Sequence, residues 1–177
     1  MGPDVGEVEY AVESFGRVLM SVSKCHRCGH RHHDALSLST HDPTTTSLKV
    51  QSNDYLKIRV VRGSTGTVPV PELGVSMRPS LNSEGFISNV EGVLARIENV
   101  LRFLALSLEG QKKKRANLTL SKIERVRESK VRFTLIVKDP LGNSTIISGK
   151  AKRRRISHRE LNKLRFGGHA IAAGKRQ

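Results

Sequence analysis

The chain has no tryptophan, and Phe and Tyr together make up only 4% of its 177 residues. A protein that grips single strands by stacking bases on aromatic rings is therefore poorly supported. Cysteine is almost as scarce, with two copies, and nothing marks secretion, so a disulfide scaffold is not expected. No apolar run approaches bilayer length and no signal-peptide pattern opens the chain, so a cytoplasmic protein with no membrane partner is expected. Histidine is missing from Ser47 to Ser148, which leaves a catalytic metal centre in that stretch without imidazoles. Gly63-Ser64-Thr65-Gly66 lacks the lysine and spacing of a phosphate loop, and no nucleophile–base pair stands out. An enzyme is not expected.

Acidic residues are scarce in one region only. Residues 1–110 carry 11 Lys/Arg against 12 Asp/Glu, whereas residues 111–177 carry 20 against 4, so all of the +15 formal charge lies in the last third. Two runs dominate it: Lys112-Lys113-Lys114-Arg115 and Lys152-Arg153-Arg154-Arg155. Clustered cations attract polyanions and give salt-dependent affinity, which makes RNA, ribosomes or an acidic protein candidate partners. The alternative is that both runs lie solvated in loops. Neither is interleaved with aromatics.

Cys25 and Cys28 stand in Lys24-Cys25-His26-Arg27-Cys28-Gly29. Two thiolates at this spacing can face one ion across a tight turn, and structural zinc takes four such ligands in a tetrahedron. Five of the seven histidines lie nearby. His30, His33 and His41 are the candidates for the remaining positions; His30, His32 and His33 follow closely, whereas His41 has the better separation. Read otherwise, the histidines are solvated residues on a polar turn. A redox motif fits less well, because no apolar helical period follows Cys28 to lower a thiol pKa.

With 37% hydrophobic and 27% charged residues, the chain can bury one good core with a small appended module. After an acidic lead, Phe15 to Ser23 reads as a strand entering the cysteine turn and Ala35 to Ser39 as one leaving it, giving a small module over 1–45. Strands follow at Leu48 to Gln51, Tyr55 to Val61 and Thr67 to Val70, within a β body over 46–150. Val90, Val93, Leu94, Ile97, Val100, Leu101 and Leu104 form an apolar stripe, predicting a helix over 88–109 that is capped by Ser88 with Glu91 and ended by Gly110. A basic loop from Gln111 to Asn117 leads to a second helix from Ser121 to about Ser129, making a helical hairpin inserted in the β body. Val131 to Val137 and Ser144 to Ser148 read as a β-hairpin around an Asp139–Asn143 turn in which Pro140 fixes φ and Gly142 permits positive φ. Residues 151–177 form a basic tail with a short helix capped by Ser157 and Glu160, stopping at Gly167-Gly168 and ending in a frayed terminus. The fold class is mainly β with α (α+β).

Four segments, in order, resemble the ZPR-one-type zinc-finger family of archaea and eukaryotes. They are Phe15-Gly16 with Cys25-x-x-Cys28-Gly29, then Val61 to Thr67 with Val70-Pro71-Glu72-Leu73, then Gly85 to Gly92, and lastly Phe133 to Ser144. The resemblance implies a zinc ribbon joined to a β-sandwich of double-stranded β-helix type with a helical hairpin, and a Zn2+ cofactor. It also implies a non-enzymatic adaptor or folding chaperone for translation elongation factor 1-alpha, in the single-module archaeal form. Asp139, Asn143 and Arg62 are then the candidate partner-binding residues, with RNA or ribosome association through residues 111–177 as the alternative. Two departures are visible: Met1 to Ser14 contain no cysteine where the family's first CxxC would precede Phe15, and Lys138 replaces an aspartate.

Overall fold

In the computed structural model, residues 4–12, 16–38, 42–80, 83–166 and 169–170 are described. The acidic lead is itself a strand. β1 (Asp4–Val12) pairs antiparallel along its whole length with β2 (Gly16–Lys24), and β2 pairs with β3 (Arg31–Ser37). Its charges lie on an exposed surface, so its alternation carries little apolar signal. This three-stranded sheet has a small core of its own, where Val12, Val18 and Ala35 meet Val61.

β4 (Thr44–Val50) follows, and the chain then departs from expectation. Tyr55 to Val61 is not one strand. Asn53–Lys57 is a 3-10 turn, and only Arg59–Arg62 extends as β5. Ser52, Asn53 and Asp54 favour a turn, and Tyr55 and Leu56 pack as partly buried flanks of the main core. β6 (Val68–Val70), β7 (Val75–Met77) and β8 (Phe86–Asn89) lead into α1 (Val90–Ser107). Its cap is Asn89, whose side chain accepts a 2.7 Å hydrogen bond from Gly92 N, rather than Ser88, which β8 uses opposite Val60.

α2 spans Gly110–Arg127. The expected basic loop is therefore helix, and Gly110 starts α2 instead of closing α1. Lys, Arg, Gln and Ala are good helix formers, and the run Lys112–Arg115 is exposed. The helical hairpin itself stands.

β9 (Phe133–Asp139) and β10 (Thr145–Ile147) do not form a hairpin together. β9 pairs with β4, whereas β10 pairs with β5, so the 139–144 corner carries the chain from one sheet to the other. β11 (Lys152–Arg155) is a strand on the edge of β4, not a loop. α3 (His158–Leu161) has the expected capping box between Ser157 and Glu160. β12 (Arg165–Phe166) and β13 (His169–Ala170) end the described chain; the Gly167-Gly168 stop and the terminal residues lie outside the described residues.

Two layers result. One is β11–β4–β9, extended by β6–β7 through reciprocal 2.8 Å hydrogen bonds between Thr67 and Lys138, and the other is β10–β5–β8. Leu48, Leu135, Val60, Val68 and Ile146 fill the space between them, and Leu94, Ile97, Ile123 and Val126 seal it from the hairpin root. The architecture is α+β, as the strand and helix patterns implied. Among the described residues, no helix is long and apolar enough to cross a membrane.

The cysteine module seats closely on this body. A Cβ at Gly85 would lie 2.2 Å from Ala35 N, whereas one at Gly6 would meet nothing within 4 Å. Gly85→Ala should therefore cost about 2 kcal/mol of stability in denaturant melts, against no more than about 0.5 kcal/mol for Gly6→Ala.

The two helices are tied by charge. Arg127 binds Glu91 and Glu98 at 2.7 Å each, and Arg102 binds Glu98 at 2.6 Å and Glu124 at 3.4 Å. Hydrogen bonds from Arg127 and then Arg102 hold the Glu98 carboxyl below the usual carboxylate range. A depressed carboxylate stabilises the fold above its unfolded pKa, and that contribution disappears as pH falls through the folded value. Thermal stability should drop as pH is lowered beneath the ordinary carboxylate range. Glu98→Gln should cost about 1 kcal/mol at neutral pH, discounted for solvent exposure of the arginines, and flatten that part of the pH profile.

Candidate functional site

The cysteine turn sits at the tip of the β2–β3 hairpin. Cys25 N donates to His30 O at 2.8 Å and Gly29 N to Cys25 O at 2.9 Å. Gly29 has φ +70, a left-handed conformation that glycine adopts without strain, and it brings the chain back under the sulfurs. Backbone N–H groups of Cys28 and Arg27, with the Cys28 side chain, stabilise the Cys25 thiolate and lower its pKa from the ordinary thiol value. Two free, partly exposed thiols thus face outward from a knuckle that favours the ligand form of sulfur.

Among the described residues, the knuckle supplies two ligands, and no three His, Cys, Asp or Glu side chains gather to hold a metal. His30 and His33 are thus not brought together with both cysteines in this arrangement. His33 stands opposite Val22, two residues beyond the Lys24–Arg31 pair, and each strand residue carries it about 3.3 Å further from the tip. His26 instead meets Asp4 at 2.9 Å. His41 lies outside the described residues. Two thiols do not satisfy a tetrahedral ion, so no metal-dependent step follows from this geometry.

Asp139 and Arg62 are also placed differently from expectation. Asp139 is 0% exposed. One carboxylate oxygen accepts from the Thr65 hydroxyl at 2.6 Å and from Leu141 N at 2.9 Å; the other accepts from the Ser144 hydroxyl, which in turn accepts from Gly63 N. Arg62, 3% exposed, donates through Nε to Gly66 O and through Nη1 to Glu84 O. Burial lowers its pKa, and the nearby Asp139 charge opposes that shift. These groups tie the Asp139–Ser144 corner to the Arg62–Gly66 loop and do not present themselves to a partner. Gly142 takes φ +72, as its turn position suggested. Asn143 is half-buried beside the same loop.

The basic runs are far apart in the fold. Lys112, Lys113, Lys114 and Arg115 lie on the first turns of α2, at the outer end of the hairpin. Arg153, Arg154 and Arg155 lie on the β11 edge, where charge also guards an open strand against unwanted pairing. Arg154 is paired with Glu160 and Arg155 with Asp42.

The outer hairpin holds what the sequence did not disclose. Val100 and Leu104, expected in the buried stripe, are exposed, with Phe103 at 74%, Leu106 at 83% and Leu118 also exposed. The α1 stripe extends beyond the body it should cover: Val90, Val93, Leu94 and Ile97 reach the core, and the residues after Leu101 do not. A stripe longer than its core was the available signal.

Asp139→Ala should remove an acceptor from three donors inside the body and cost about 3 kcal/mol, read from the denaturation midpoint. Asp139→Asn, which keeps the shape, should cost less.

The ZPR1 jelly-roll domain matches residues 54–165, a segment that includes Arg62, the helical hairpin and the Asp139 corner. A ZPR1-like protein of Methanocaldococcus jannaschii is 40% identical over 154 residues, covering 86% of this chain and 78% of that protein. Another from Pyrococcus horikoshii is 36% identical over 167 residues, covering 92% and 74%. The zinc finger chaperone zpr1 of Schizosaccharomyces pombe is more distant, at 26% over 140 residues, 75% of this chain and 30% of that protein. A jelly roll accounts for the two layers, for the crossing at the 139–144 corner and for the hairpin inserted between β8 and β9, and the chain belongs to the ZPR1 family of zinc-finger-type proteins.

Proposed function

We propose that this protein is a non-enzymatic, cytoplasmic binding protein, an adaptor or folding chaperone, whose partner is a translation elongation factor of the 1-alpha type. The observation that carries the reading is the outer half of the helical hairpin. Phe103 and Leu106 stand at 74% and 83% exposure beside Val100, Leu104 and Leu118. Exposed apolar clusters of this kind mark protein-binding surfaces, and aromatic anchors supply much of the energy at such interfaces. The hairpin root is fixed in the core, so the surface is presented on a rigid stem. Lys112 to Arg115, exposed on the first turns of α2, add positive charge to the same end of the hairpin, which speeds encounter with an acidic partner. The fission yeast relative is named a zinc finger chaperone, which is in keeping with a protein client.

Zinc at the Cys25–Cys28 knuckle is part of the proposal. The two thiols would supply two of its ligands and the ion would stiffen the hairpin tip. The identity of the client rests on family resemblance.

Pull-down of the cognate elongation factor by the full chain, at low and moderate salt, tests the reading. Retention is expected at both, with Phe103→Asp plus Leu106→Asp reducing it about tenfold or more. No retention at either salt, or equal retention by the double variant, overturns it.

A further inference from the structure

The outer face of the β11–β4–β9 sheet carries a second feature, distant in sequence from the hairpin and not used by the reading above. The inner positions Leu48 and Leu135 are buried, so their neighbours Ser47, Lys49 and Thr134 are turned outward. There, with Gln51, Tyr55, Lys150 and Lys152, they line a concavity of about 250 Å3. Three lysines, from β4, the 149–151 turn and β11, thus border one small hollow.

Elsewhere on this face, positive charge is answered locally. Glu160 binds both Lys138 and Arg154, and on the other face of β11 Asp42 binds Arg155. Lys49, Lys150 and Lys152 have no carboxylate partner among the described residues. One carboxylate borders the lining: Glu72 accepts from Thr134 N at 3.0 Å and from its hydroxyl at 2.8 Å, neutral donors that leave its charge in place, so three lysines face one acidic group. Lys150 Nζ lies 4.7 Å from the Tyr55 ring centroid, which positions that ammonium and covers a ring face that a base would otherwise stack on. Like charges on adjacent strands repel, and a bound anion removes that cost.

We infer that this hollow is a phosphate-binding site, taking a phosphoanion without reading a base. The Ser47 hydroxyl and the Gln51 amide add neutral donors, and placement on core strands keeps the cluster in register. An RNA backbone lying along β11 and a free phosphoanion share this chemistry. Arg153 stands opposite the buried Thr46 and so on the other face, and Arg154, the next outward cation of β11, is already paired with Glu160; the unpaired charge is confined to the hollow, which favours a free phosphoanion.

The test uses the full chain with two probes, a mixed-sequence 12-nucleotide RNA and inorganic pyrophosphate, titrated at several salt concentrations. The variants are Lys49→Gln/Lys150→Gln/Lys152→Gln and, as a charge-matched control, Lys112→Gln/Lys113→Gln/Lys114→Gln. Thermal melts show that each remains folded. The sheet variant should weaken binding about tenfold or more and lower the slope of log K against log salt by about two, with the hairpin variant changing affinity less than about threefold. Selective loss for RNA assigns the site to a nucleic-acid backbone, and selective loss for pyrophosphate alone assigns it to a free phosphoanion. Equal loss in both variants, or no binding of either probe at low salt, overturns the site.

Discussion

The constraint on which the rest of the molecule depends is the buried carboxylate of Asp139. It ends β9 in one sheet, and through Ser144 and Thr65 it fixes the loop that follows β5 in the other. A charged group enclosed in protein is costly unless its oxygens are occupied, and here both are. Arg62, buried alongside, donates to the Gly66 carbonyl of that loop and to the Glu84 carbonyl just before β8. Pairing inside each sheet cannot set the spacing between sheets; this polar knot does. It also reaches the cysteine module, because Gly63 lies where an added Cβ would press on Asn143 and approach the Ala35 carbonyl.

The two ends of the molecule are consequently held differently. The cysteine hairpin rests on a small core of Val12, Val18, Ala35 and Val61, and close backbone approach at Gly85 leaves it little room to shift. The helical hairpin grows out of the main core and is stapled by Arg127 across Glu91 and Glu98. Beyond Leu101, Phe103, Leu104 and Leu106 are exposed among the described residues. A helix whose first four stripe residues are buried and whose outer ones are bare is stabilised at its root, and its outer surface is offered for an intermolecular contact.

Much of this was legible in the chain. Apolar and β-branched content located β2, alternation located the end of β3 and β9, the 3.6 period located α1, and the Ser157–Glu160 spacing gave a true capping box. Ordered motifs, not any single one, carried the family. What escaped was whatever depended on pairing at a distance. The turn Asp139-Pro140-Leu141-Gly142-Asn143 reads as a hairpin because local sequence specifies a corner but not which strand is waiting on its far side. Asp139 reads as a surface turn residue because its hydroxyl partners, Thr65 and Ser144, include one 74 residues away. Lysine-rich stretches read as loops because charge hides secondary structure: Lys112–Arg115 are helix and Lys152–Arg155 are strand. The bare part of α1 escaped for a related reason, since a periodic stripe states which face is apolar and not how far the neighbouring body extends.

Charge then divides the surface into two kinds of positive region. On the hairpin, Lys112 to Arg115 share the outer end with exposed apolar side chains, so Coulomb attraction is paired with apolar contact area, which suits a folded or folding protein. On the outer sheet, Lys49, Lys150 and Lys152 line a shallow hollow with hydroxyls, an amide and the Tyr55 ring, and attraction of an anion there depends on charge and is sensitive to salt. Glu160 sharpens the contrast by offsetting one of the two charges of Lys138 and Arg154 at the opposite end of that face. Arg154 and Lys138 in turn hold the Glu160 carboxyl far below its ordinary pKa, with Arg154 the larger cause, so this offset persists well into acid. A net charge of +15 is therefore not one diffuse field. It is resolved by pairing into a lysine hollow and an apolar stem with cations at its outer end, two surfaces whose chemistry asks for different ligands.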